Sequence, residues 1–171
     1  EISEGHGTIA MELLADARRR GSDLDVVAIP LGNGALLNGM ARWIKAASPR
    51  TKVLGVCARG APAMERSWRG RQIVQTAQAD TLADGIAVRV PIAEAVADMQ
   101  GQVDDVLLVA DMHLVQAMRL VWLHAGLMLE PAGAVGVAAL VAHPALFAGQ
   151  QVATVLCGSN FGPQHVALVQ G

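Results

Sequence analysis

Apolar residues fall in two alternating kinds of run along this chain. The first kind is short and unbroken: Val26 to Pro30, Lys52 to Cys57, Val106 to Val109 and Gln151 to Leu156. Apolar runs of this length, bounded by turn formers, predict strands buried on both faces. The second kind recurs every three or four residues. Ile9, Leu13 and Ala17 share one helical face between Thr8 and Arg20, with Gly7 before the segment and Thr8 placed as its cap. Arg18, Arg19 and Arg20 followed by Gly21 close it. Leu36 to Ala47 repeats the pattern and stops before Pro49.

The same reading places a helical turn at Met64 to Arg69 and a helix over Ile92 to Met99. A longer helix is capped by Asp111, carries Val115, Met118 and Val121, and ends at His124 before Gly126. "LEPAGA" leads into a further helix reaching about Ala142, and a last one starts near Pro163. "TLADGIAVRVP" reads as a loop with a short β run ending at Pro91. Strands and helices therefore alternate. Right-handed crossovers turn that order into an α/β fold: a three-layer, doubly wound, mostly parallel sheet with helices on both faces. Ligands of such sheets lie beyond the C-terminal strand ends. The loops Gly32 to Leu36, Thr81 to Gly85 and Cys157 to Asn160 fall there.

Composition narrows the function classes. The 171 residues are 53% hydrophobic and 16% charged, enough for a sizeable core in one domain. Aromatics are 3% and the net charge is −2, which argues against a nucleic-acid surface. The most apolar long window, Ala125 to Ala142, is interrupted by Glu130, Pro131 and glycines, so it reads as core and turn rather than a membrane span. No secretory signal opens the chain, and the expected compartment is the cytoplasm. Cys57 and Cys157 form no CxxC pair. The chain begins "EISEGHGTIAMELL", without Met, and reads as a sequence joined part-way.

The richest candidate chemistry is the stretch "IPLGNGALLNG". Glycines before a helix let unpaired N–H groups, at the positive end of the helix dipole, meet an anion. A ligand-free strand-to-helix turn is the equal alternative. "GALLNGMA" has the GxxxxG spacing of an ATP-binding loop, but Met40 and Ala41 stand where Lys and Ser/Thr belong. "GNGALL" lacks the third glycine of a dinucleotide fingerprint, and the next strand ends in Cys57 rather than an acid. Cys157 is either a small buried hydrophobe or, with a lowered pKa and a nearby base, a nucleophile. Glu130 suits a helix-start carboxylate. His6, His113, His124, His143 and His165 show no metal-ligand spacing, and structural or solvent roles are expected for most.

Taken in order, "GHGTIAMEL", "IPLGNGALLNG", "VLGV", "TLADGIAV", "LEPAGAVGVAAL" and "VLCGSN" resemble successive blocks of the fold type II pyridoxal-phosphate enzymes. The match is to their threonine/serine dehydratase branch, with serine racemase among the relatives, and it runs almost the whole chain. The resemblance implies that Gly32, Asn33, Gly34, Ala35 and Leu36 wrap the cofactor phosphate. Asn33 and Ala35 depart from the family's more glycine-rich loop. It also implies that Gly85 passes beside the ring, that Cys157 meets the pyridine nitrogen, and that Gly158 and Asn160 complete that turn. Glu130, in the "LEPAGA" block, joins this cofactor-binding set. Cys57 stands where some relatives have a cation-binding acid, so no metal site is expected.

Other family features have no counterpart. The Schiff-base lysine lies in a Ser-x-Lys-x-Arg-Gly-Ala-like motif that precedes the family segment where this chain starts. Lys45 and Lys52 do not match it, and no catalytic residue is assigned. The small substrate domain is missing too. The resemblance thus implies the second part of a large cofactor domain from an ammonia-lyase that converts a hydroxyl amino acid to a 2-oxo acid. Such a piece is expected to be inactive alone, and to form a homo-oligomer or pair with a complementing N-terminal chain. A non-catalytic module that binds a phosphate ligand or self-assembles is the second reading; a nucleotide-binding domain is the third.

Overall fold

The computed structural model describes residues 2–170, with Ile2 described by its backbone. Among the described residues, four strands form one parallel sheet: β1 (Val26–Pro30), β2 (Lys52–Ala58), β3 (Asp105–Val109) and β4 (Val152–Thr154), in the order β3-β2-β1-β4. Val26 is in register with Lys52 on one side and Val152 on the other. The helices are α1 (Ile2–Arg19), α2 (Ala35–Ala47), α3 (Ala63–Gly70), α4 (Ala93–Met99), α5 (Asp111–Ala125), α6 (Val135–Ala142), α7 (Pro144–Phe147) and α8 (Pro163–Gln170). Short 3-10 turns occupy Asp84–Ile86 and Pro131–Ala134.

Strand side chains alternate between two apolar layers, as the pleat requires. Val27, Ile29, Val53 and Val106 pack with Leu14 of α1, Met40 and Ile44 of α2, Met64 of α3 and Met99 of α4. Val26, Ala28, Leu54, Val56 and Leu107 pack with Leu114 and Met118 of α5 and with Val135 and Ala139 of α6. The sheet is thus the middle of three layers, with helices on both faces. The chain leaves β1 towards β2 and β3, then crosses to β4 on the other edge. This switch of direction opens a crevice between the C-terminal ends of β1 and β4, the place where such sheets bind ligands.

Several elements differ from the sequence reading. α1 begins at Ile2, and Thr8 is no cap: it lies inside the helix, its hydroxyl donating to the Gly5 carbonyl at 2.8 Å. The glycines of this segment disfavour helix, but the extra turns pack on α2, where a Cβ on Gly39 would overlap the Ser3 carbonyl. β4 ends at Thr154 rather than Leu156, because the following residues leave the sheet and press the Cys157 carbonyl onto Gly133. No β run forms between Thr81 and Pro91. That segment is pinned by Asp111, which accepts from the Thr81 hydroxyl at 2.6 Å and the Leu82 N–H at 2.9 Å. Asp111 is therefore the first residue of α5 and not its cap, which is Ala110. Gly126, left-handed with φ 66°, ends α5 as expected. Among the described residues, no helix is long and apolar enough to cross a membrane.

Candidate functional site

Beyond β1, the Leu31 N–H bonds to the Val56 carbonyl at 2.9 Å, and the chain then turns through Gly32, Asn33 and Gly34 into α2. Gly34 is the N-cap, with φ 89°, and among the described residues no side chain caps the helix. The first bond along α2 runs from the Asn38 N–H to the Gly34 carbonyl at 2.8 Å. The helix itself therefore does not use the N–H groups of Ala35, Leu36 and Leu37, which lie at its positive end. Behind the turn, the Asn38 amide is 1% exposed and donates to the Ala95 carbonyl at 2.9 Å. A Cβ on Gly34 would stand 3.2 Å from that amide and 3.3 Å from the Ala95 Cβ, so the turn has no spare room on that side.

Three further segments close on this turn through glycines. A Cβ on Gly32 would lie 3.4 Å from the Gly85 carbonyl, and one on Gly85 would lie 3.1 Å from the Ala132 Cβ. Gly133 abuts the Cys157 carbonyl, and Gly158, with φ 76°, abuts the Glu130 carboxylate. Glu130 accepts the Asn160 N–H at 3.0 Å, and its own carbonyl accepts the Gly133 N–H at 3.0 Å. Four backbone segments thereby surround a cavity of about 270 Å³.

Gly32, Asn33, Gly34, Ala35, Leu36, Gly85, Glu130 and Cys157 all line that cavity. Gly158 and Asn160 do not line it; they stand behind Glu130 and fix its carboxylate. The lining also includes His6, Pro30, Ile86, Ala132 and Gly133. "LEPAGA" held a signal for Ala132 and Gly133, since its small residues let the loop approach closely. His6 carried none, because its position depends on how α1 crosses α2.

Burial, and then the Glu130 charge, push the Cys157 thiol above its ordinary value, so the group facing the cavity is a neutral thiol. This shift runs opposite to what a nucleophilic cysteine needs. Cys57 is buried inside β2, where burial pushes its thiol up to about 12 and its Sγ donates to the Leu31 carbonyl at 3.5 Å. Both cysteines are free. Among the described residues, no group of three or more His, Cys, Asp and Glu side chains is placed to hold a metal ion.

The two lysines are at the other end of the sheet. Lys45 bonds to the Asp104 carboxylate at 2.6 Å and to the Thr51 carbonyl at 3.0 Å. Lys52 opens β2 and borders a separate hollow with Val26, Asp104 and Asp105. These residues stand at the N-terminal strand ends, whereas the cavity opens at the C-terminal ends.

The profile of the family described as pyridoxal-phosphate dependent enzyme matches residues 1–158. The L-threonine ammonia-lyase of Thermotoga maritima is 35% identical over 159 residues, which are 93% of this chain and 38% of that protein. The biosynthetic L-threonine dehydratase of Lactococcus lactis is 31% identical over the same shares. In three dimensions the chain resembles a threonine deaminase from T.th., with a TM-score of 0.87 and 36% identity, over 93% of this chain and 57% of that one. Maize serine racemase gives a TM-score of 0.86 and 25% identity, over 97% and 51%. The chain thus spans about two fifths to three fifths of the length of these relatives. It belongs to the pyridoxal-phosphate-dependent enzyme family, in the threonine dehydratase and serine racemase branch of fold type II.

Proposed function

We propose that this chain is the cofactor-binding part of a lyase that eliminates ammonia from a hydroxyl amino acid, and that pyridoxal phosphate sits in the cavity between the start of α2 and the Cys157 turn. The observation that carries the reading is the uncapped start of α2, led by Gly32 and Gly34 and facing a cavity that Cys157 borders. A phosphate dianion fits there: N–H groups that the helix does not use and the helix dipole both favour it. Asn33, Ala35 and Leu36 contribute main chain to this cup.

Bound pyridoxal phosphate supplies an electron sink for the bond-breaking carbon. The chain's own residues orient it and set its surroundings. Cys157 would face the pyridine ring with a neutral thiol, which would not enforce a proton on the ring nitrogen as a carboxylate would. Gly85 leaves room for the ring. Glu130, fixed by Asn160, borders the cavity, and Pro131–Ala134 keeps that side narrow.

Neither Lys45 nor Lys52 reaches the cavity, so the family's lysine, and with it proton removal from the substrate, would come from outside these 171 residues. The lysine comes from a complementing segment or chain. The isolated chain is then expected to bind pyridoxal phosphate weakly and to turn over neither serine nor threonine. Cofactor titration by absorbance, followed by an assay of 2-oxo acid formation, tests both halves. Robust turnover by the isolated chain overturns the division of labour.

A second reading, self-assembly on the same scaffold, is favoured by the surface of α5 and the turn after it. Met112 is 63% exposed, Leu123 74% and Leu127 48%, apolar side chains of the kind that gather at contact surfaces. Light scattering over a range of concentrations checks it, and a monomer throughout argues against it.

A further inference from the structure

We propose that His6 is a positioning residue of the phosphate cup, donating an imidazole N–H to a phosphate oxygen of the bound ligand. This rests on the cofactor reading above and goes beyond it, because the backbone loop explains anion binding without any help from α1. α1 and α2 approach closely at Gly39, one turn into α2. A Cβ there would overlap the Ser3 carbonyl and lie 2.9 Å from the His6 Cβ. The missing side chain brings α1 down onto the first turn of α2. His6, half-buried, thereby joins the lining that Gly32 to Leu36 form.

The chemistry of the lining makes this position matter. Among the described residues lining the cavity, His6 is the only one whose side chain can carry a positive charge, and Glu130 is the only carboxylate. A dianion entering the cavity is attracted to the α2 end and repelled by Glu130. An imidazole on the α2 end adds a directed donor to the main-chain N–H groups. It also biases which end of the ligand enters there. The same position makes the sensitivity depend on phosphate: a ligand lacking that group gains nothing from His6.

The test titrates the 171-residue chain with pyridoxal phosphate and with inorganic phosphate, for wild type, His6→Ala and His6→Gln, with folding checked by circular dichroism. NMR of the His6 ring, assigned by its loss in His6→Gln, reads contact directly in the unaltered protein. The inference expects the His6 ring resonances to shift on adding either ligand. It also expects His6→Ala to weaken both by roughly tenfold, the scale of one charge-assisted hydrogen bond, and His6→Gln to weaken them less. Equal affinities for wild type and a folded His6→Ala overturn it, as do unmoved ring resonances in ligand-saturated protein. A wild-type chain that binds neither ligand overturns the cofactor reading itself, and the role of His6 with it.

Discussion

Gly158 and Glu130 are in such close contact that nothing larger than hydrogen fits between them. A Cβ on Gly158 would overlap the Glu130 carboxylate, and φ at this position is 76°, a conformation that side chains oppose. Gly158→Ala therefore meets two penalties at once. It is expected to cost about 1–3 kcal/mol of stability and to push Glu130 away from the Asn160 N–H. Urea denaturation measures the first effect, and the loss of pyridoxal phosphate binding the second.

The turn into α2 has the same sensitivity. Gly34 combines φ 89° with little spare room, since a Cβ there would press on Asn38, Ala95 and Met64. Gly34→Ala is expected to destabilise by about 1–3 kcal/mol and to abolish phosphate binding, because the first turn of α2 shifts with its cap. Thermal melts with and without added phosphate check it: ligand stabilisation should vanish in the variant.

Asp111 ties the Gly85 loop to the start of α5. Replacing it by Ala removes acceptors for the Thr81 hydroxyl and the Leu82 N–H, and about 1–3 kcal/mol of stability should go with them. The loss should be local. Hydrogen exchange ought to speed up between Thr81 and Ile86 while β1 and β2 keep their protection. Asp111→Asn, which retains one acceptor oxygen, should lose less.

Burial of Cys57 gives stability a pH dependence of known sign. Its thiol is raised in the fold from 9.0 to about 12. Below about 9 the thiol is protonated folded or unfolded, and its contribution is complete. Above that, the unfolded chain gives up the proton while the folded one keeps it. Stability therefore falls as pH rises towards 12, by at most about 1.4 kcal/mol per unit for one proton. The difference between wild type and Cys57→Ala, followed by denaturation from pH 8 to about pH 11, isolates this slope. A difference that does not change with pH contradicts it. By the same physics, Cys157 should react with iodoacetamide at neutral pH more slowly than a free thiol does.

How much of this was legible depended on the range of the cause. β1, β2, α2 and α5 follow from local periodicity, and Gly126 marks its helix end by conformation alone. The order of "GNG", "ADGI" and "CGSN" pointed to segments that do border one cavity. The start of α1 was hidden because glycines mask a helix that only packing against Gly39 holds together. The extent of β4 was hidden too, since the pull of the Cys157 carbonyl onto Gly133 is a contact between distant residues. Asp111 looked like a cap because capping is the local use of an aspartate, and its partners at Thr81 and Leu82 come from another loop. His6 likewise carries no local signal, because the contact of α1 with Gly39 brings it to the cavity.

The walls where Gly32 meets Gly85 and where Gly133 meets Cys157 are built mainly of main chain. Main chain has the same chemistry whatever the residue, so random substitution offers few ways to retune this cavity. Most changes at the glycines only break it. The adjustable part is a small set of side chains, chiefly His6, Asn33, Glu130 and Cys157. A library directed at those positions samples most of the side-chain variation open to this cavity, and one directed at the glycines samples mostly distorted walls.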